Sequence, residues 1–113
     1  MYICMSIVEL ENIESEEHIA QLADMFRLMG DASRLRIILA CLREPVSVGE
    51  IAKRLDLSPS LVSHHLRLLR AARVLKGERR GKQMFYSACD EHIECVIGDM
   101  MAHVGEPDSE DQN

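Results

Sequence analysis

The sequence predicts a mainly α-helical protein with a small β-hairpin, organised as a single winged helix-turn-helix domain over residues 1–113. Three observations predict this class. Apolar residues recur at three- and four-residue steps in several segments, as they do in amphipathic helices. The stretch Leu57-Ser58-Pro59-Ser60 is typical of a short turn between two such helices. Two strand-like segments then flank Arg80-Gly81-Lys82, which is typical of a hairpin.

Capping residues and helix breakers define the helices that precede the Leu57–Ser60 turn. Ser15 is a good N-cap, and Gly30 ends the helix that it begins. Asp31 caps the next helix, which is broken by Pro45 because proline cannot donate a backbone hydrogen bond. Ser47 begins a third, short helix. The first three predicted helices cover residues 14–30, 31–43 and 48–55.

The helix-turn-helix unit is predicted over residues 47–71 and the wing over residues 74–88. Ser58 is an N-cap followed by Pro59 at the favoured first helical position, so a helix runs from there to about Ala71. The final helix starts near Asp90, and the tail over residues 107–113 is expected to be disordered. The core stripe expected on the second helix of the unit is Leu61, Val62, Leu66 and Leu69.

Charge is distributed very unevenly along the chain, whose net charge is −6. Residues 58–82 contain seven Lys or Arg residues and one acid, a local charge of +6. The first 26 residues contain six acids, and residues 89–113 contain eight, with no Lys or Arg in either stretch. A localised basic surface of this kind indicates nucleic-acid binding. The alternative is a helix-turn-helix used for protein contacts.

The cytoplasm is the expected location, and no membrane contact is expected. No apolar run approaches the ~20 residues of a membrane span. The apolar start, Met1–Val8, lacks the basic flank and cleavage site of a signal peptide. The four cysteines show no CxxC spacing, so we expect reduced thiols rather than disulfides.

The second helix of a helix-turn-helix enters the major groove, and its N-terminal residues contact base edges. Hydroxyl groups there bind bases or phosphates, and the helix N-terminus itself attracts a phosphate. Cationic residues at the hairpin tip would reach backbone phosphates or a minor groove. His65 is instead expected to pack or form a hydrogen bond within the domain. The expected contacts to double-stranded operator DNA are Ser58, Ser60, Leu61, Ser63, His64, Arg67, Arg79, Arg80 and Lys82.

Four plausible zinc ligands form the pattern D-x-H-x10-H-x2-E: Asp90, His92, His103 and Glu106. The histidines are eleven residues apart, so they lie on one face of a helix but roughly 16 Å apart along its axis. A zinc–nitrogen bond is only about 2.0–2.1 Å long, so one straight helix cannot close this site. Two antiparallel copies can. The spacing therefore predicts a metal and a homodimer together. The two terminal helices, residues 14–30 and 90–106, are the expected dimerisation helices.

The chain resembles the ArsR/SmtB family of small dimeric metal-sensing repressors over about residues 16–106. Its C-terminal ligand pattern is similar to that of the family's zinc and cobalt sensors. The segments that carry the resemblance are Gly30-Asp31-Ala32-Ser33-Arg34-Leu35-Arg36-Ile37, Val48-Gly49-Glu50-Ile51-Ala52, Leu57-Ser58-Pro59-Ser60-Leu61-Val62-Ser63-His64-His65-Leu66 and Arg79-Arg80-Gly81-Lys82.

The resemblance implies that the apo dimer binds its operator and that Zn(II), or Co(II) in its place, releases it. Asp90 and His92 of one subunit and His103 and Glu106 of the other would bind the metal, because two imidazoles and two carboxylates suit tetrahedral zinc. A hydrogen bond from His103 to the backbone carbonyl near Arg73 would connect this site to the reading helix.

Other functions stay open. A thiol-based repressor could sense arsenite, soft metals or sulfane sulfur through Cys41, Cys89 and Cys95. A regulator without an inducer and a metal-buffering dimer that never contacts DNA are further alternatives. Nickel would require extra ligands, for which His18 and the N-terminal amine are conceivable. An enzyme is not expected because the site would be coordinatively closed, and no protein partner beyond a second copy is expected.

Overall fold

The computed structural model describes residues 15–107, and it confirms a mainly helical fold with a winged helix-turn-helix arrangement. Predictions about Cys4, the N-terminal amine and residues 108–113 lie outside the described residues. The elements in chain order are α1 (Glu16–Met29), α2 (Ala32–Arg43), β1 (Val46–Ser47), α3 (Val48–Leu55), α4 (Pro59–Ala71), β2 (Leu75–Arg80), β3 (Gln83–Ala88) and α5 (Glu91–Val104).

The four predicted N-caps before the wing are confirmed by their hydrogen bonds. The Ser15 hydroxyl accepts from the backbone N–H of His18 at 3.1 Å. In the same way, Asp31 caps α2, Ser47 caps α3 and Ser58 caps α4, each accepting from the N–H three residues further on. Each cap satisfies a backbone donor that has no partner inside its helix, so these side chains determine where the helices begin.

The sheet is antiparallel with the strand order β1–β3–β2. Strands β2 and β3 form the predicted hairpin, and the positive φ of Gly81, 64°, allows a tight turn. Arg80 belongs to β2 and pairs with Gln83, so the expected connection Arg80-Gly81-Lys82 is one residue too long. Strand β1 was not predicted. It is two residues long and depends on pairing with Tyr86 and Phe85 rather than on a local pattern.

The core lies between α2, α3, α4 and the wing. Leu61 is a correction to the expected core stripe, because its side chain is exposed at the start of α4. The other three stripe residues are buried, as is Val74, which lies just before β2. The largest fully buried side chains are Ile37, Ile38, Ile51, Leu66, Leu69, Leu75, Val62, Val74 and Cys41.

Helices α1 and α5 bury only part of their apolar surface within this chain. Ile19, Leu22 and Phe26 recur on one face of α1 at three- and four-residue spacing, and each is about half exposed. The C-terminal half of α5 likewise exposes Met100, Met101 and Val104. No helix within residues 15–107 is both long enough and apolar enough to cross a bilayer.

Candidate functional site

The predicted reading helix is α4, and its N-terminal residues form a continuous surface. Asp56 adopts a left-handed conformation with a φ of 55° at the end of α3, which turns the chain sharply into Ser58. Ser63 is half-buried, whereas the other predicted contacts on this helix are exposed: Ser58, Ser60, Leu61, His64 and Arg67. The structure therefore places hydroxyl, imidazole and guanidinium groups together beside a free helix N-terminus.

His65 lies on the buried side of α4 and is only 8% exposed, so its expected packing role is confirmed. Its Nδ1 atom forms no hydrogen bond with any of the described residues, so the expected hydrogen bond is absent at that atom. Burial lowers the pKa of His65, and the nearby Arg34 guanidinium acts in the same direction, while Asp31 opposes both. The imidazole is therefore held neutral inside the domain.

The wing presents Arg79, Arg80 and Lys82 to solvent at its tip. The Arg80 Nε atom donates to the Glu78 Oε1 atom at 2.9 Å, and the guanidinium lies 5.3 Å from the centre of the Phe85 ring. Sequence reasoning missed Phe85. The available signal was the hairpin register, since a two-residue turn at Gly81 and Lys82 places Phe85 directly opposite Glu78.

Asp90 and His92 form a pair at the start of α5. Asp90 is the N-cap, and its Oδ1 atom accepts from the N–H groups of His92 and Ile93 at 3.0 and 3.3 Å. The His92 Nδ1 atom lies 3.5 Å from the same oxygen. Desolvation raises the pKa of Asp90, but the hydrogen bonds from Ile93 and His92 outweigh it, and the pKa is lowered overall. The carboxylate is thus ionised near neutral pH.

His103 and Glu106 form a second pair at the other end of α5. The His103 Nδ1 atom lies 3.6 Å from the Glu106 Oε1 atom, and both side chains are about 70% exposed, at 73% and 68%. The separation of the two pairs is roughly that of His92 from His103, about 16 Å of helix. Within residues 15–107, no three Asp, Glu, His or Cys side chains lie close enough together to hold a metal ion. One chain therefore brings together two pairs of ligands but not all four.

Arg73 lies at the end of the reading helix, beside the first pair rather than the second. It has a φ of 64° and lines a cavity of about 400 Å³ between α1, the end of α4 and the start of α5. Asp90 and His92 line the same cavity. No hydrogen bond joins His103 to Arg73 in the described part of the chain, so the predicted contact is not made within one subunit.

Cys41 and Cys95 lie in surroundings that disfavour the thiolate. Cys41 is buried in α2, and burial raises the pKa of its thiol to about 12. Partial burial raises the pKa of Cys95, and the acids Asp99, Glu91 and Glu94 raise it further. Cys89 is half-buried and lines the cavity described above. Because the thiolate is the reactive form, these environments do not favour thiol-based sensing by Cys41 or Cys95.

Comparison with known proteins identifies a family. Residues 31–76 match the family model described as bacterial regulatory protein, arsR family. The chain is 34% identical over 96 residues to a transcriptional repressor SmtB homologue of Synechocystis sp.. This alignment covers 85% of this chain and 73% of that protein. It is also 34% identical to the transcriptional repressor SmtB of Mycobacterium tuberculosis, over 74% of this chain and 62% of that protein. The chain thus spans less than two thirds of the mycobacterial repressor.

Further matches agree in fold. A cadmium resistance regulatory protein CadC homologue of Staphylococcus aureus is 30% identical over 72% of this chain and 68% of its own length. Reduced HlyU of Vibrio cholerae superposes with a TM-score of 0.72 at 26% identity, over 80% of this chain and 96% of that one. A homodimeric winged helix-turn-helix DNA-binding domain of Mycobacterium bovis superposes with a TM-score of 0.75 at 17% identity, over 80% of this chain and 87% of that one.

The matched proteins are regulators of transcription rather than enzymes. The chain belongs to the ArsR/SmtB family of DNA-binding transcriptional regulators.

Proposed function

We propose that this protein is a metal-responsive repressor in the cytoplasm, whose apo homodimer binds operator DNA and is released by Zn(II), with Co(II) as a chemical substitute. The observation that carries the proposal is the division of four ligand residues into two pairs at opposite ends of α5. Each pair has one imidazole and one carboxylate. Neither pair is a complete site, and one subunit cannot bring the two pairs together.

A second copy of the chain completes the arrangement. If two α5 helices pack antiparallel, Asp90 and His92 of one subunit meet His103 and Glu106 of the partner subunit, and two-fold symmetry generates two sites. The exposed apolar faces of α1 and α5 supply a surface for that packing. The homodimeric state of the Mycobacterium bovis neighbour is consistent with such a dimer.

The chemistry of the donor set fits zinc. Two nitrogen and two oxygen donors match a closed tetrahedral centre, and bound zinc would supply a fixed link between the subunits. Asp90 is ionised near neutral pH and is already oriented by its capping hydrogen bonds. The name of the cadmium resistance regulator supports a metal inducer in general.

Arg73 connects the metal site to the DNA-binding surface. Its backbone lies at the end of α4 and lines the same cavity as Asp90 and His92, the place that His103 of the partner subunit would enter. A hydrogen bond from that imidazole to the Arg73 carbonyl would therefore form between subunits. The N–H of Val74 donates to the Leu69 carbonyl inside α4, so a displacement at Arg73 is transmitted to the reading helix.

The coupling is reciprocal. If metal weakens DNA binding, operator DNA must weaken metal binding by the same factor, typically worth ~1–3 kcal/mol. On the operator, we assign base contacts to the start of α4 and phosphate contacts to the tip of the wing. The residues assigned to DNA are Ser58, Ser60, Leu61, Ser63, His64, Arg67, Arg79, Arg80 and Lys82.

The test uses a duplex selected from a random pool by the apo protein. His103→Ala should bind this duplex as tightly as the wild type but should no longer be released by zinc. Glu106→Gln and Glu94→Gln form a matched pair, because each removes one carboxylate charge, from just after α5 or from within it, and only Glu106 is a proposed ligand. Glu94→Gln should keep zinc-dependent release. Release of His103→Ala by zinc would show that this imidazole is not the coupling residue.

A further inference from the structure

The outer face of the wing carries an ion pair that the proposed function does not use. In β2 and β3 successive side chains alternate between faces, and the hairpin register places Glu78 opposite Phe85 and Arg80 opposite Gln83. Leu75 and Ala88 face the core and are buried, so the other set of side chains, which includes Glu78, faces outward.

Arg80 is held on this outer face by two contacts. Its Nε atom donates to the Glu78 carboxylate at 2.9 Å, and its guanidinium carbon lies 5.3 Å from the centre of the half-buried Phe85 ring. The Arg80 and Glu78 side chains are nevertheless 53% and 66% exposed, so solvent and a DNA phosphate can reach both. Among the described residues, neither Arg79 nor Lys82 forms an ion pair with a carboxylate.

We infer that Glu78 is a positioning residue of the DNA-binding surface, because it restrains Arg80 against Phe85 and so weakens the phosphate contact of Arg80. This inference rests on the proposed binding of duplex DNA by the wing. Non-specific affinity comes from cations that replace counterions on phosphates. A guanidinium bound to a carboxylate must exchange that carboxylate for a phosphate, which makes Arg80 a poorer non-specific contact than its charge suggests.

The restraint acts at least as strongly on the operator. There, base contacts from α4 hold the wing beside the backbone, so Arg80 meets a phosphate at a high effective concentration and its phosphate contact is more complete. On random DNA, no such contacts hold the wing in place. Because the Glu78 contact is lost in every complex in which Arg80 binds a phosphate, Glu78 lowers operator affinity at least as much as non-specific affinity.

The test compares Glu78→Gln with wild type on a random duplex and on the selected operator over a range of salt concentrations. On the random duplex, the slope of log affinity against log salt should steepen towards one extra phosphate contact, about 0.9. At about 0.1 M salt, a slope change of that size corresponds to roughly eightfold tighter binding. Operator affinity should rise by at least as large a factor.

Two controls separate the restraint of Arg80 from a change in net charge. Glu17→Gln removes the same charge from an exposed position on α1, far along the chain from the wing, and should leave the slope unchanged. In an Arg80→Gln background, adding Glu78→Gln should have little effect, because the residue that Glu78 restrains is gone. Thermal unfolding of each variant confirms that the fold is intact.

The results that overturn the inference are specific. A Glu78→Gln variant with the wild-type slope and affinity on random DNA refutes it, and so does an effect that is undiminished in the Arg80→Gln background. In both cases, wild-type protein still binds duplex DNA, so the proposed function stands. Wild-type protein that shows no salt-dependent duplex binding would refute the proposed function together with the inference.

Discussion

Phe26 offers a quantitative test of the proposed dimer. Its side chain is 54% exposed in one subunit, on the α1 face that also exposes Ile19 and Leu22. Full burial of a Phe side chain is worth about 1.5–3 kcal/mol, so burying the exposed half contributes about 1 kcal/mol. A symmetric dimer buries the Phe26 side chain of both subunits, which together stabilise the dimer by about 2 kcal/mol. Phe26→Ala should therefore raise the dimer dissociation constant roughly 30-fold.

Sedimentation equilibrium over a range of protein concentrations measures this constant. The chain contains no Trp, so interference optics are the suitable detection method. Leu61→Ala is the matched control, because it removes apolar surface from a side chain that is 40% exposed on the reading helix instead. That variant should dimerise as the wild type does. An unchanged constant for Phe26→Ala, or an equal weakening by Leu61→Ala, would show that the exposed face of α1 is not the dimer interface.

Three further predictions follow from local contacts. Because the pKa of His65 is lowered on folding by burial and by Arg34, its contribution to stability is present above about pH 6.5 and is lost as the pH falls below that value. His65→Gln should therefore reduce the drop in Tm between pH 7.5 and 5.5, whereas the exposed His64→Gln should preserve it. Because Ser58 caps α4, Ser58→Ala should lower the free energy of unfolding by about 1 kcal/mol and Ser58→Gly by only a few tenths. If chemical denaturation showed the same loss of stability for both variants, it would argue against the cap. Burial raises the pKa of the Cys41 thiol to about 12, so this thiol should resist iodoacetamide at pH 7.5 in the folded protein and react in urea. Rapid labelling of the folded protein, detected by mass spectrometry, would contradict its burial.

Elements with a local cause were predictable from the sequence. Ser15, Asp31, Ser47 and Ser58 are capping residues whose hydrogen bonds are formed within three residues, so their positions in the sequence determine where helices begin. Gly81 similarly identified the hairpin turn. The family resemblance rested on segments that include Asp31, Ser58 and Gly81, and the comparisons confirm the family.

Elements with a non-local cause were missed or misplaced. Strand β1 exists because Val46 and Ser47 pair with β3, which is distant in sequence. Leu61 fits the apolar period of α4, but the helix turns it away from the core. The contact of Arg80 with Phe85 depends on the hairpin register, which a one-residue error in the turn changes completely.

The candidate metal site illustrates both cases. The sequence pattern predicted four ligand residues, and helix geometry required that they divide into two pairs. The structure shows that division, with Asp90 beside His92 and His103 beside Glu106. In the proposed function the pairs come together only between two chains, so neither the sequence of one chain nor its structure would display the complete site.

Zinc binding by mixed subunits tests the central claim most directly. One variant carries Asp90→Asn and His92→Asn, and the other carries His103→Gln and Glu106→Gln. A homodimer of either variant lacks half of every site, whereas a mixed dimer joins the intact pair of one subunit to the intact pair of the other at one of its two sites. The account predicts no tight zinc binding by either variant alone and one zinc ion per mixed dimer after the variants are unfolded and refolded together. Tight zinc binding by either variant alone, or none by a demonstrated mixed dimer, would contradict a site shared between subunits.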